Sequence, residues 1–132
     1  MDVNVTATIG NDLYLTKVTT GNHEIIVDEP LDKGGKDLAP KPTELLAASL
    51  ASCTAITLKM YAERKAWDVG EIFVDVTLVD SVDKSQTAFK RNIRFSKTDI
   101  PEDQMKRFRH IANACPVHKI LEGSITVNSE FN

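Results

Sequence analysis

The chain has 132 residues, 42% apolar and 27% charged, with a formal net charge of -3. That length suits a single domain, 1–132, which can bury about two-thirds of its unfolded surface. Two cysteines cannot supply the disulfide framework of a small secreted scaffold, and charge is balanced along the chain, with seven basic and nine acidic residues in 1–66 against nine and ten in 67–132. A basic field for nucleic acid is therefore excluded.

In chain order, the N-terminus has no basic segment followed by an apolar run, so no signal peptide is expected. Val3, Val5, Ala7 and Ile9 alternate with Asn4, Thr6 and Thr8, the period of a half-buried strand. After Gly10-Asn11-Asp12 a second strand runs over Leu13 to Thr19. Gly21-Asn22 then turns the chain into a third, Glu24 to Asp28. Three short strands form a thin sheet that needs a second layer. Residues 28–42, rich in Pro, Gly and charge, form a long connection of the kind that is often functional or mobile.

The clearest helix runs from Thr43 to Ala66. Nothing from Leu45 to Leu58 is charged, which predicts burial on all sides. Those 14 residues fall short of the roughly 20 that span a bilayer, so a soluble, cytoplasmic protein without membrane or nucleic-acid partners is expected. Two strands follow. Glu71–Val79 has Ile72, Val74, Val76 and Leu78 on one face, and Thr87–Ser96 has Phe89, Ile93 and Phe95 on one face. Pro101-Glu102-Asp103 opens a helix with an apolar stripe of Met105, Phe108, Ile111 and Ala112, and Cys115-Pro116 opens a short one to Leu121. Ile125, Val127 and Ser129 predict a last strand. The order of elements is that of an α+β protein.

The chemistry rests on the two sulfurs. Cys115 precedes Pro116, which places it at a helix N-cap, where free N–H groups favour a thiolate; a merely packed thiol is the alternative. Cys53 lies mid-helix, where every backbone donor is already used. A cysteine there is most often a small apolar filler, and any activation must come from other elements. The 62 residues between the two do not say whether they meet.

Pro42-Thr43-Glu44-Leu45-Leu46, followed by small residues up to Cys53, resembles the central-helix signature of the OsmC/Ohr family. Ala114-Cys115-Pro116-Val117 resembles that family's second signature. The order of elements agrees across essentially the whole chain. The resemblance implies the OsmC-like fold, with antiparallel sheets packed around a long central helix, in an intertwined homodimer with sites at the subunit interface. It also implies a Cys-based peroxidase acting on organic hydroperoxides, with Cys53 peroxidatic and Cys115 resolving. An external dithiol would serve as reductant, and no cofactor or metal is needed.

Two departures set this chain nearer a divergent redox branch. Peroxidatic members use an N-terminal Arg at the thiolate, and here no Arg precedes Arg64, about 16 Å along the helix from Cys53. Lys33, Lys36, Lys41, His23 or a group from a second subunit are the candidate substitutes. The family's carboxylate stands ten residues before the Cys, a position that is Thr43 here. Glu44, nine before, either supports the thiol or complements the helix N-terminus.

The alternative functions are a binding module for a small hydrophobic ligand and thiol chemistry on another electrophile. Weaker signals have simpler readings. His118, one turn after Cys115, is read as solvent-facing rather than as a base or anchor for that thiol, Asp28, Glu29 and Asp32 lack calcium-loop spacing, and Gly34-Gly35-Lys36 is a turn rather than a phosphate loop.

Overall fold

A computed structural model describes residues 2–132. The elements are β1 (Thr6–Ile9), β2 (Thr16–Thr20), β3 (His23–Val27), a single 3-10 turn (Leu31–Lys33), α1 (Pro42–Lys65), β4 (Ile72–Asp80), β5 (Thr87–Phe95), α2 (Glu102–Ala112) and α3 (Pro116–Glu122). The architecture is α+β, as expected, with antiparallel sheets β1-β2-β3 and β4-β5. The chain divides into two compact units, one ending at Leu46 and the other running from Ala47 to Asn132.

In the first unit the meander forms with Ala7 opposite Val18 and Val18 opposite Ile25. A two-residue loop, Gly21-Asn22, joins β2 to β3, with Gly21 at φ 57° in the left-handed region that such tight hairpins need. The expected burial of the first strand is not found. Strand pairing begins only at Thr6, and Val3, Val5 and Ile9 are 73%, 57% and 52% exposed. Alternation marks which face would be covered, not that this chain supplies the cover.

The long connection is ordered by one carboxylate. Asp28 is buried and accepts hydrogen bonds from the backbone N–H groups of Glu29 (2.8 Å), Leu38 (3.1 Å) and Lys36 (3.3 Å). Gly35 comes so close to the backbone of Glu29 that any Cβ would collide with it. Held this way, the loop needs no regular structure of its own.

In the second unit α1 buries a stripe of Leu50, Thr54, Leu58, Tyr61 and Ala62, spaced by four, four, three and one. The expectation of burial on all sides is corrected: Ile56 and Met60 are 53% and 63% exposed. An all-apolar composition does not choose a face; packing does. The same composition makes the 24-residue helix long and apolar enough to cross a membrane, yet Leu58, Tyr61 and Ala62 belong to a core with Val69, Phe108 and Ala112.

The helix ends in a Schellman motif. Trp67 N–H bonds to Ala62 O (2.9 Å) and Ala66 N–H to Glu63 O (3.1 Å), with Ala66 at φ 55°. Trp67 then meets Tyr61 edge-on, ring centroids 5.7 Å apart, and both lie edge-on to Phe108.

The β4-β5 hairpin pairs Leu78 with Phe89, Val76 with Arg91 and Val74 with Ile93. The expected inner faces are found, and Arg91 stands on one of them between Phe89 and Ile93. The stripe of α2 and the Cys115-Pro116 start of α3 also form as read. The expected last strand does not: residues 124–132 pair with no strand, and Ile125 and Val127 are exposed. Their alternation is strand-like, but among the described residues no strand pairs with it.

Candidate functional site

Two free thiols meet in the second unit. Cys53 is half-buried on α1, next to Thr54 of the buried stripe. Cys115 is wholly buried at the N-cap of α3. Pro116 fixes the turn there, because its φ suits the first helical position and it lacks an N–H that would otherwise go unpaired. The Cys53 and Cys115 sulfurs lie within hydrogen-bonding reach of each other, so the structure closes the 62-residue separation to contact.

The surroundings of the pair are unequal. Burial pushes the Cys53 thiol above its ordinary value of 9.0, its bond to Cys115 adds to this, and the Val117 N–H and Thr57 hydroxyl oppose the rise without reversing it. Burial also pushes Cys115 up. There the bond from Cys53, the N–H of His118, the Thr54 hydroxyl and the N–H of Val117 outweigh it, and the thiol lies below its ordinary value. The surroundings therefore favour the charged form more at Cys115 than at Cys53.

Behind Cys115 stands a polar group that sequence reasoning missed. Thr54 Oγ1 lies 2.7 Å from Leu50 O and 3.9 Å from Cys115 Sγ. Arg91 Nη1 donates to Thr54 Oγ1 (2.9 Å) and to Ala112 O (3.3 Å), and Nη2 donates to Asn113 Oδ1 (3.1 Å). The guanidinium thus also meets the C-terminal end of α2, where the helix dipole is negative. Two signals were available in the sequence. Arg91 falls on the period-2 inner face of Phe89, Ile93 and Phe95, and Thr54 falls midway between Leu50 and Leu58 on the helix stripe.

Glu44 takes the second of its two expected roles, at the helix N-terminus. Its Oε1 accepts the Lys41 N–H at 3.0 Å, the return half of a capping box at the head of α1. Of the four candidate cations, Lys36 is paired with Asp12 at 2.7 Å. His118, read as solvent-facing, is only 21% exposed and sits 3.3 Å from Glu122. It lines a cavity of about 460 Å³ with Leu50, Phe89, Arg91 and Leu121. Among the described residues no cluster of three or more His, Cys, Asp or Glu suits a metal ion.

A sequence model described as OsmC-like protein matches residues 34–130. A crystal structure from Psychrobacter arcticus, provisionally described as an osmotic stress induced and detoxification response protein, is 33% identical, with 88% of this chain and 85% of that one covered at a TM-score of 0.75. An OsmC like protein from Mycoplasma pneumoniae shares the fold at 19% identity, with coverage of 93% and 89% and a TM-score of 0.71. So does the organic hydroperoxide resistance protein OhrB of Bacillus subtilis, at 20% identity, coverage of 93% and 92% and a TM-score of 0.60. No curated protein matches the chain.

Proposed function

The chain belongs to the OsmC-like protein family, and on that premise we propose that it is a thiol-dependent redox protein reducing organic hydroperoxides. The observation that carries the reading is the hydrogen-bonded pair of free thiols, one half-buried and one buried. Cys53, the more accessible sulfur, attacks the peroxide oxygen and becomes a sulfenic acid as the alcohol leaves. Cys115 condenses with it, forming the disulfide and releasing water, and an external dithiol returns both to thiols. The electrons come from sulfur throughout, so the cycle calls for neither metal nor organic cofactor. Glu44 supports the site in this reading by fixing the start of the helix that carries Cys53.

The family match crosses the boundary between the two units, which supports one domain over 1–132. Self-association is part of the proposal. Val3, Val5 and Ile9 in the first unit, and Ile56 and Met60 on α1, are exposed apolar side chains that a second copy of this chain would cover. The cytoplasm, where dithiol reductants are supplied, is the compartment that fits.

Mass spectrometry of the full chain after one equivalent of an organic hydroperoxide tests the reading. A 53–115 disulfide is expected in the wild type, no turnover in Cys53→Ser, and a single oxidation that then stalls in Cys115→Ser. Unchanged thiols under excess peroxide would overturn it. One observation favours a second reading: burial holds Cys53 in its protonated form, which suits a module that binds a small hydrophobic molecule. That module would leave both thiols intact under the same treatment.

A further inference from the structure

Arg91 stands between Phe89 and Ile93 on the inner face of β5, and its three acceptors, Thr54 Oγ1, Ala112 O and Asn113 Oδ1, include no carboxylate. Its charge is therefore not cancelled by a paired acid within its hydrogen-bond shell. One of those acceptors, the Thr54 hydroxyl, has a single proton and two places to put it: the Leu50 carbonyl at 2.7 Å and the Cys115 sulfur at 3.9 Å. An N–H donated into the Thr54 oxygen makes that hydroxyl a stronger donor. A neutral thiol is a poor acceptor beside a carbonyl, whereas a thiolate is a strong one. The hydroxyl rotor can thus answer the charge on Cys115. Both groups are wholly buried, where such interactions are least screened by water.

We propose that Arg91 is a positioning residue for the thiol pair, acting through the Thr54 hydroxyl to hold the negative charge of the reduced pair on Cys115. This rests on the peroxide-reducing reading for its chemistry, and it assigns Cys115 two tasks there. As Cys53 attacks the hydroperoxide, the Cys115 thiolate accepts the Cys53 proton and passes it to the departing alkoxide, giving the alcohol and Cys53 sulfenic acid. The restored thiolate then attacks the Cys53 sulfur. The S–O bond breaks, the S–S bond forms, and hydroxide leaves as water with one solvent proton. Two electrons pass from the two sulfurs to the peroxide. The titratable and charged groups around the pair are the two thiols, Arg91 from β5, and His118 from α3, which is tied to Glu122 and lines a cavity with Arg91.

The test uses the full chain in a Cys53→Ser background, where Cys115 is the only thiol and its ionisation is read from the ultraviolet absorbance of the thiolate against pH. Thr54→Val keeps the side-chain shape and removes the hydroxyl. It is expected to raise the Cys115 midpoint by about one unit, and Arg91→Met to raise it by a similar amount. The double variant should rise no further than the larger single one, because both act on one chain of bonds. Thr54→Ser should restore the midpoint. A Cys115 midpoint unmoved in folded Thr54→Val, or full additivity in the double variant, would overturn the proposal. Should Arg91→Met fail to fold, the Thr54→Val and Thr54→Ser pair decides alone. The titration uses no peroxide. A shift in a protein that never reduces peroxide would therefore sink the functional reading and leave the assignment of charge standing, and the opposite result would separate them the other way.

Discussion

At Cys53 the helix offers its own sulfur only the Thr57 hydroxyl, one turn on, and burial outweighs it. The sulfur's reactivity is therefore a property of its neighbours, and removing either thiol should show this. Cys53→Ala takes a hydrogen-bond donor from Cys115, so the Cys115 midpoint should rise, while Cys115→Ala should leave Cys53 above its ordinary value because its burial persists. Thiolate absorbance titration of each single-thiol variant measures both. Cys115 and its proline were legible in the sequence, because Pro116 announces a helix start whatever the rest of the chain does. The meeting of the two sulfurs was not, since it depends on where α3 is packed against α1.

On the scale of single elements, local geometry gives sharper expectations. Ala66 holds a left-handed conformation at the Schellman end of α1, where a Cβ is penalised and glycine is not. Ala66→Gly should stabilise the protein by about 0.5–1 kcal/mol in urea unfolding. Phe108 presents α2 to an aromatic cluster with Tyr61, Trp67 and Phe95, and Phe108→Ala should cost about 3–5 kcal/mol. The 28–42 connection depends on Asp28, whose three backbone donors, the Glu29 N–H first, hold its carboxyl below the ordinary 3.8. A depressed carboxylate contributes stability that is present above its unfolded value and lost as pH falls through its folded one. Asp28→Asn should therefore cost stability near neutral pH, with the difference from wild type shrinking in acid below about pH 4. Hydrogen exchange at the Lys36 and Leu38 amides should locate that loss in the loop.

For the whole molecule, the exposed apolar side chains frame the expectation. Analytical ultracentrifugation should give twice the 14.6 kDa chain mass, and a charged residue at the exposed Ile56 or Met60 should shift that mass toward the monomer. A monomer at all concentrations would count against sites completed between subunits. The strand-like alternations of residues 3–5 and 125–129 belong to this scale too, because each finds no cover within one chain.

By itself the sequence determined the α+β order of elements as far as α3, the faces of β4 and β5, the stripe of α2, and both helix starts that flank the thiol chemistry. Each of these is set by short-range periodicity or by proline at a first turn, signals that survive without knowledge of neighbours. The tertiary structure alone decided which stripe of the uniformly apolar α1 is buried, that the two thiols meet, and that an arginine from β5 stands behind Thr54. All three depend on contacts between residues far apart in the chain, and spacing along a sequence does not encode distance in the fold.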